Sequence, residues 1–89
     1  MGQVGIKLKI MPESPDTDLN AIKQEAKSKV EKEQGILNNY EEEPIAFGLK
    51  ALIATITFPE EKDQEILVEI FKKQPGVSSV EVIDYRRLL

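Results

Sequence analysis

The side chains able to do chemistry in this chain are few in kind. It contains no histidine and no cysteine, so the commonest general base is missing, and Ser-His or Cys-His nucleophiles, thiolate metal sites and disulfides cannot be built. Three successive carboxylates, Glu41, Glu42 and Glu43, formally offer oxygen ligands to Mg²⁺ or Ca²⁺. Neighbouring strand residues point to opposite faces, however, so three in a row do not converge on one ion. We read them as a solvated or partner-facing segment and expect no metal site. The five glycines show no phosphate-cradling spacing. No bound nucleotide or other cofactor is expected, and covalent catalysis is not either.

What is left is binding, and two places present the residues for it. In "PIAFG", residues 44 to 48, proline and glycine cannot continue a regular ladder, so the segment reads as a protruding hairpin connection. Ile45 and Phe47, beside Gly48, either anchor a partner from its tip or fold back to cap the core. Arg86 and Arg87 form a cationic pair at the end of an otherwise acidic chain. They either sit in solvent and local salt bridges or present a guanidinium to a phosphate or carboxylate on another molecule.

Composition narrows the partner. The 89 residues read as a single domain, 1–89, with 40% hydrophobic and 31% charged residues, a soluble globular mixture. A net charge of −4 argues against direct nucleic-acid binding, which needs a clustered positive field. The aromatics, Tyr40, Phe47, Phe58, Phe71 and Tyr85, form no basic-aromatic strand motif of the kind that stacks bases. No apolar run is long enough to span a membrane. No signal-peptide h-region opens the chain, and Ile6 stands where a myristoylation signal needs Ser or Thr. We expect a cytoplasmic protein.

These residues need elements to position them. Val4, Ile6, Leu8 and Ile10 alternate as in a half-buried strand, which Met11-Pro12 ends. "SPDTD" supplies an N-cap at Thr17 or Asp18 for a helix with Leu19, Ile22, Ala26 and Val30 on one stripe, running to about Glu33 and stopped by Gly35. A short polar edge strand covers 36–43, and a strong strand covers 49–58. A second helix spans about 62–73, with Ile66, Leu67, Ile70 and Phe71 as its apolar residues, and stops at Pro75-Gly76. The last strand is expected over 77–83, with "DYRRLL" as a tail. The order strand, helix, strand, strand, helix, strand gives an α+β, ferredoxin-like βαββαβ sandwich. Its four-stranded antiparallel sheet should have two helices on one face and the first and third strands at its centre.

Three blocks, "IMPESPDTDL", "EEEPIAFGLKAL" and "VSSVEVIDYRRLL", closely resemble the archaeal members of the translation elongation factor 1-beta family, in register over essentially the whole chain. The resemblance implies a guanine-nucleotide exchange factor whose partner is the GTPase elongation factor 1-alpha, with the same ferredoxin-like fold. It implies that Phe47 packs against the second domain of that GTPase. It also implies that a basic residue near the chain end enters the Mg²⁺ and phosphate region. Eukaryotic relatives end in a lysine plus one aliphatic residue, whereas this chain ends "RRLL"; aligned on the first leucine the match is Arg87, and a shift of one makes it Arg86. A monomer is expected when free. The competing reading is a ferredoxin-like regulatory module that self-associates and binds a small metabolite. An acylphosphatase-like enzyme is disfavoured because no glycine-rich cradle follows the first strand.

Overall fold

The structure is a computed structural model that describes residues 2–88. Its elements are β1 (Gln3–Pro12), α1 (Leu19–Lys32), β2 (Ile36–Pro44), β3 (Lys50–Pro59), α2 (Glu65–Lys72) and β4 (Val77–Leu88). The strands form one antiparallel sheet in the order β2-β3-β1-β4. β1 and β3 are central, as their apolar character requires, and the polar β2 is an edge, where Pro44 is tolerated.

Alternation along β1 decides which face is covered. Val4, Ile6, Leu8 and Ile10 are all buried, and the residues between them are only half-buried. They pack with Leu52, Ala54, Ile56 and Phe58 of β3 and with Ile22, Ala26 and Val30 of α1. From α2 the same cluster receives Leu67, Val68 and Phe71. Both helices therefore lie on one face of the sheet. Of the four apolar residues expected on α2, Ile66 and Ile70 are only partly buried and pack at the margin of this cluster. The buried side of α2 is formed by Leu67, Val68 and Phe71.

α1 begins where Asp18 accepts a hydrogen bond from the Ala21 N–H at 3.1 Å, an N-cap. Thr17 does not cap the helix; its hydroxyl accepts from the Ser14 N–H and donates to the Gly76 carbonyl. At the other end the left-handed residue is Gln34, with φ 69°, and not Gly35. Gly35 is required by packing instead, since a Cβ there would meet Val30 at 2.7 Å and Phe58 at 3.0 Å. α2 starts three residues later than expected at Glu65, because Pro59 and Lys62 first close a turn through a 3.2 Å backbone hydrogen bond. β2 is tied to α1 by Tyr40, whose half-buried phenol donates to the Lys23 carbonyl at 3.1 Å; desolvation raises its pKa.

The largest departure from expectation lies at the end of the chain. Asp84 to Leu88 are not a tail. They continue β4, with Tyr85 opposite Ile6, Arg86 opposite Gly5 and Arg87 opposite Val4. A bulge at Ile83 lets the strand keep pairing past the point where its apolar alternation fails. Leu89, the last residue of the third resembling block, and Met1 lie outside the described residues.

Candidate functional site

The hairpin between β2 and β3 is built as its residues suggest, with one feature that they do not announce. The Ile45 N–H donates to the Leu49 carbonyl at 2.8 Å, and the Leu49 N–H donates to the Ala46 carbonyl at 3.3 Å. Phe47 and Gly48 are therefore the central residues of a tight turn. Both have positive φ, 62° with ψ 31° at Phe47 and 75° at Gly48. That is the type I′ arrangement, in which Asn-Gly is the favoured pair. Gly48 meets the requirement without steric cost. A phenylalanine in the left-handed region is strained by on the order of 1–2 kcal/mol.

The strain is not offset by burial. Phe47 is 92% exposed, whereas Phe58 and Phe71 are fully enclosed. Of the two readings of this residue, folding back onto the core is thus excluded. Ile45 is half-buried and Gly48 exposed. The tip leans toward the β1–α1 loop, where Pro15 is 4.0 Å from a Cβ placed on Gly48. A cleft of about 360 Å³ opens behind it, lined among others by Pro15, Asp18, Glu42 and Lys50.

The three glutamates that precede the hairpin diverge. Glu41 and Glu43 stand opposite Ile53 and Ala51 on the open face, and Glu42 stands opposite Leu52 on the helix face. Glu42 meets Lys23 of α1 at 3.1 Å, and Glu43 meets Lys9 at 3.6 Å. Among the described residues no cluster of three or more acidic side chains is arranged to hold a metal.

Arg86 and Arg87 are exposed, their side chains 78% and 75% accessible. Successive strand residues face opposite ways, and cross-strand partners share a face. Arg86 accordingly lies on the open face, where its Nε donates to Asp84 at 3.0 Å. Arg87 lies on the helix side, where its Nε donates to Glu60, directly after β3. That hydrogen bond and the arginine's charge hold the Glu60 carboxyl below the usual carboxylate range, against some desolvation, and Glu60 in turn raises Arg87. Glu60 lies 27 residues from Arg87 in the chain, and no local pattern marks it.

The structure gathers Ile45, Phe47 and Gly48 at one end of the molecule and places Arg86 and Arg87 at the other. β3 connects the two ends; its 10 residues extend roughly 30 Å at about 3.3 Å each. The whole chain measures 42 × 21 × 18 Å, so Phe47 and Arg87 stand near the two ends of its long axis.

Comparison with known proteins gives a consistent result. The family model described as the EF-1 guanine nucleotide exchange domain matches residues 5–88. "Elongation factor 1-beta" of Methanosarcina barkeri is 47% identical over 89 residues, covering 99% of this chain and 100% of that protein. The protein of the same name from Methanothermobacter thermautotrophicus is 43% identical over 90 residues, covering 100% of both chains. Among solved structures, the C-terminal domain of the MgtC protein from Mycobacterium tuberculosis matches with a TM-score of 0.72. That match covers 97% of this chain and 88% of that one; at 15% identity it speaks to the fold alone.

Proposed function

The chain belongs to the EF-1 guanine nucleotide exchange domain family, and from that premise we propose how its shape carries out the exchange. It is a guanine-nucleotide exchange factor for elongation factor 1-alpha, releasing GDP so that GTP can bind during the elongation step of protein synthesis. In our reading the Phe47 hairpin is the anchor, with Ile45 supporting it and Gly48 permitting the turn. Arg87 is the wedge, directed at the GTPase's phosphate and Mg²⁺ region. Arg86, on the other face, is secondary.

The observation that carries this reading is the conformation of Phe47. An almost fully exposed aromatic held in a strained backbone region adds little packing to the fold that bears it. Such outliers persist chiefly where the strain serves recognition, and exposed aromatics are the residues that anchor interfaces. The separation of Phe47 from Arg87 along the long axis suits a partner of more than one domain, gripped at one point and perturbed at another.

The mechanism requires no bond to be made or broken. Bound GDP is held by P-loop contacts to its phosphates and by Mg²⁺. A factor that stabilises a GTPase conformation in which these contacts are disrupted weakens GDP, and GDP weakens the factor by the same ratio. A coupling of about 3 kcal/mol changes affinity roughly 150-fold. The rigid four-stranded sheet transmits the geometry, and the side chains need only charge and shape. The protein on this reading is a non-enzymatic, cytoplasmic, single-domain monomer that touches the GTPase and not its RNA ligand.

The direct test is release of labelled GDP from elongation factor 1-alpha with and without this protein. Accelerated release that depends on Phe47 and Arg87 supports the reading. Accelerated release indifferent to both residues would keep the function and remove the anchor and wedge.

A further inference from the structure

Arg87 is exposed but not loose. Its side chain makes one hydrogen bond among the described residues, from Nε to Glu60 Oε2. The two terminal nitrogens of the guanidinium are left without a partner there. Glu60 is the better-fixed member of the pair. It follows the buried Pro59, its own N–H donates to the Gly2 carbonyl at 2.9 Å, and its side chain is only 28% accessible. A Cβ on Gly2 would lie 3.3 Å from Glu60 Oε1, so the carboxylate is seated against the start of β1.

Guanidinium has a planar fork with distinct edges. Engagement through Nε restrains the plane while leaving the outer edge, formed by the two terminal nitrogens and also able to grip an oxyanion bidentately, free to act. Arg86 offers the contrast: its partner Asp84 lies two residues away in the same strand and on the open face, so that contact gives no fixed point from another element.

We propose that Glu60 is a positioning residue for the exchange reaction, its carboxylate orienting the Arg87 guanidinium so that the two terminal nitrogens face the GTPase. The inference rests on the reading of Arg87 as the wedge. Its physical basis is preorganisation. A long side chain restrained before docking loses less freedom when it docks, and a functional group holds its geometry only when supported by neighbours. The lowered acidity range of Glu60 is consistent with a carboxylate that stays ionised, and so oriented on Arg87, throughout neutral pH.

The experiment compares GDP release from elongation factor 1-alpha stimulated by wild type, Glu60→Ala, Glu60→Gln, Arg87→Ala and the double Glu60→Ala/Arg87→Ala variant. Each is measured at subsaturating and saturating factor, with thermal melts to verify folding. Glu60→Ala is expected to lower the saturated rate by roughly tenfold, the scale on which supporting partners act. Glu60→Gln should recover much of that loss, because its amide oxygen still accepts the Nε–H. The double variant should be no worse than Arg87→Ala alone. Faster exchange in Glu60→Ala would show a restraining latch, and an unchanged rate would show no role; either overturns the proposal. A double variant clearly worse than Arg87→Ala would show Glu60 acting by another route, which also overturns it. Full activity in Arg87→Ala would instead remove the wedge itself, whatever the Glu60 variants do.

Discussion

Arg86 and Arg87, adjacent in the chain, face opposite sides of the sheet: Arg86 stands opposite Gly5 on the open face and Arg87 opposite Val4 on the helix side. A flexible tail would let either arginine reach the same target, whereas a paired strand does not. The two positions are therefore separable by mutation.

Arg87→Ala is expected to remove most of the stimulated GDP release, Arg86→Ala much less, and Arg87→Lys should keep a substantial part because it retains the charge. GDP release at two ionic strengths checks this. Equal losses at both arginines that vanish at high salt would mean general electrostatic steering and no wedge. Removing residues 86 to 89 is a poor substitute for the point variants. Arg86, Arg87 and Leu88 pair with β1, and Leu88 packs against the position of Gly5.

Phe47 separates activity from stability. Replacing an enclosed phenylalanine with alanine costs about 3–5 kcal/mol, as expected for Phe58 or Phe71. Phe47→Ala should cost well under half of that, since the ring is 92% exposed, while strongly slowing exchange. Phe47→Asn should be neutral or slightly stabilising, because asparagine tolerates the left-handed turn position, and should be as poor an exchange factor. Denaturant unfolding and GDP release on the same samples decide it. A loss in the enclosed range at Phe47 would contradict the exposed tip.

The Glu60–Arg87 pair carries a pH signature. Glu60 titrates lower in the fold than in the unfolded chain, so its contribution is present above the ordinary glutamate value of about 4.3. That contribution is lost as pH falls through the lowered folded value. The melting difference between wild type and Glu60→Gln should thus be constant near neutrality and shrink in acid. A difference that grows on acidification would mean that the carboxyl is not held down by Arg87. The pair is exposed, so the effect is small.

Gly35→Ala tests packing at the end of α1. The added methyl would meet Val30 and Phe58 inside ordinary contact distance, and overpacking typically costs about 1–3 kcal/mol. A midpoint shift in denaturant without a change in slope is the expected result.

The periodicities in the chain were enough for the order of elements, the central place of β1 and β3, and the inward set on β1. The elements and the inward set follow from spacing, period two or 3.6 punctuated by Pro12, Pro59 and Pro75-Gly76. The central place of β1 and β3 follows from the order of those elements and the apolar character of the two strands. The family was legible too, because three blocks carry it in register. The protruding hairpin at 44–48 was readable from turn chemistry, but the fate of Phe47 was not. An aromatic in a turn packs or projects according to the sign of φ and what lies beneath, and neither is written in neighbouring residues. The end of β4 was hidden for a related reason. From Asp84 onward the apolar alternation fails, yet the ladder continues because β1 supplies partners a whole domain away in the chain. That pairing, and not any local signal, sends Arg86 and Arg87 to different faces. It also brings Arg87 to Glu60, a contact across 27 residues that exists only once two strand ends lie side by side on β1.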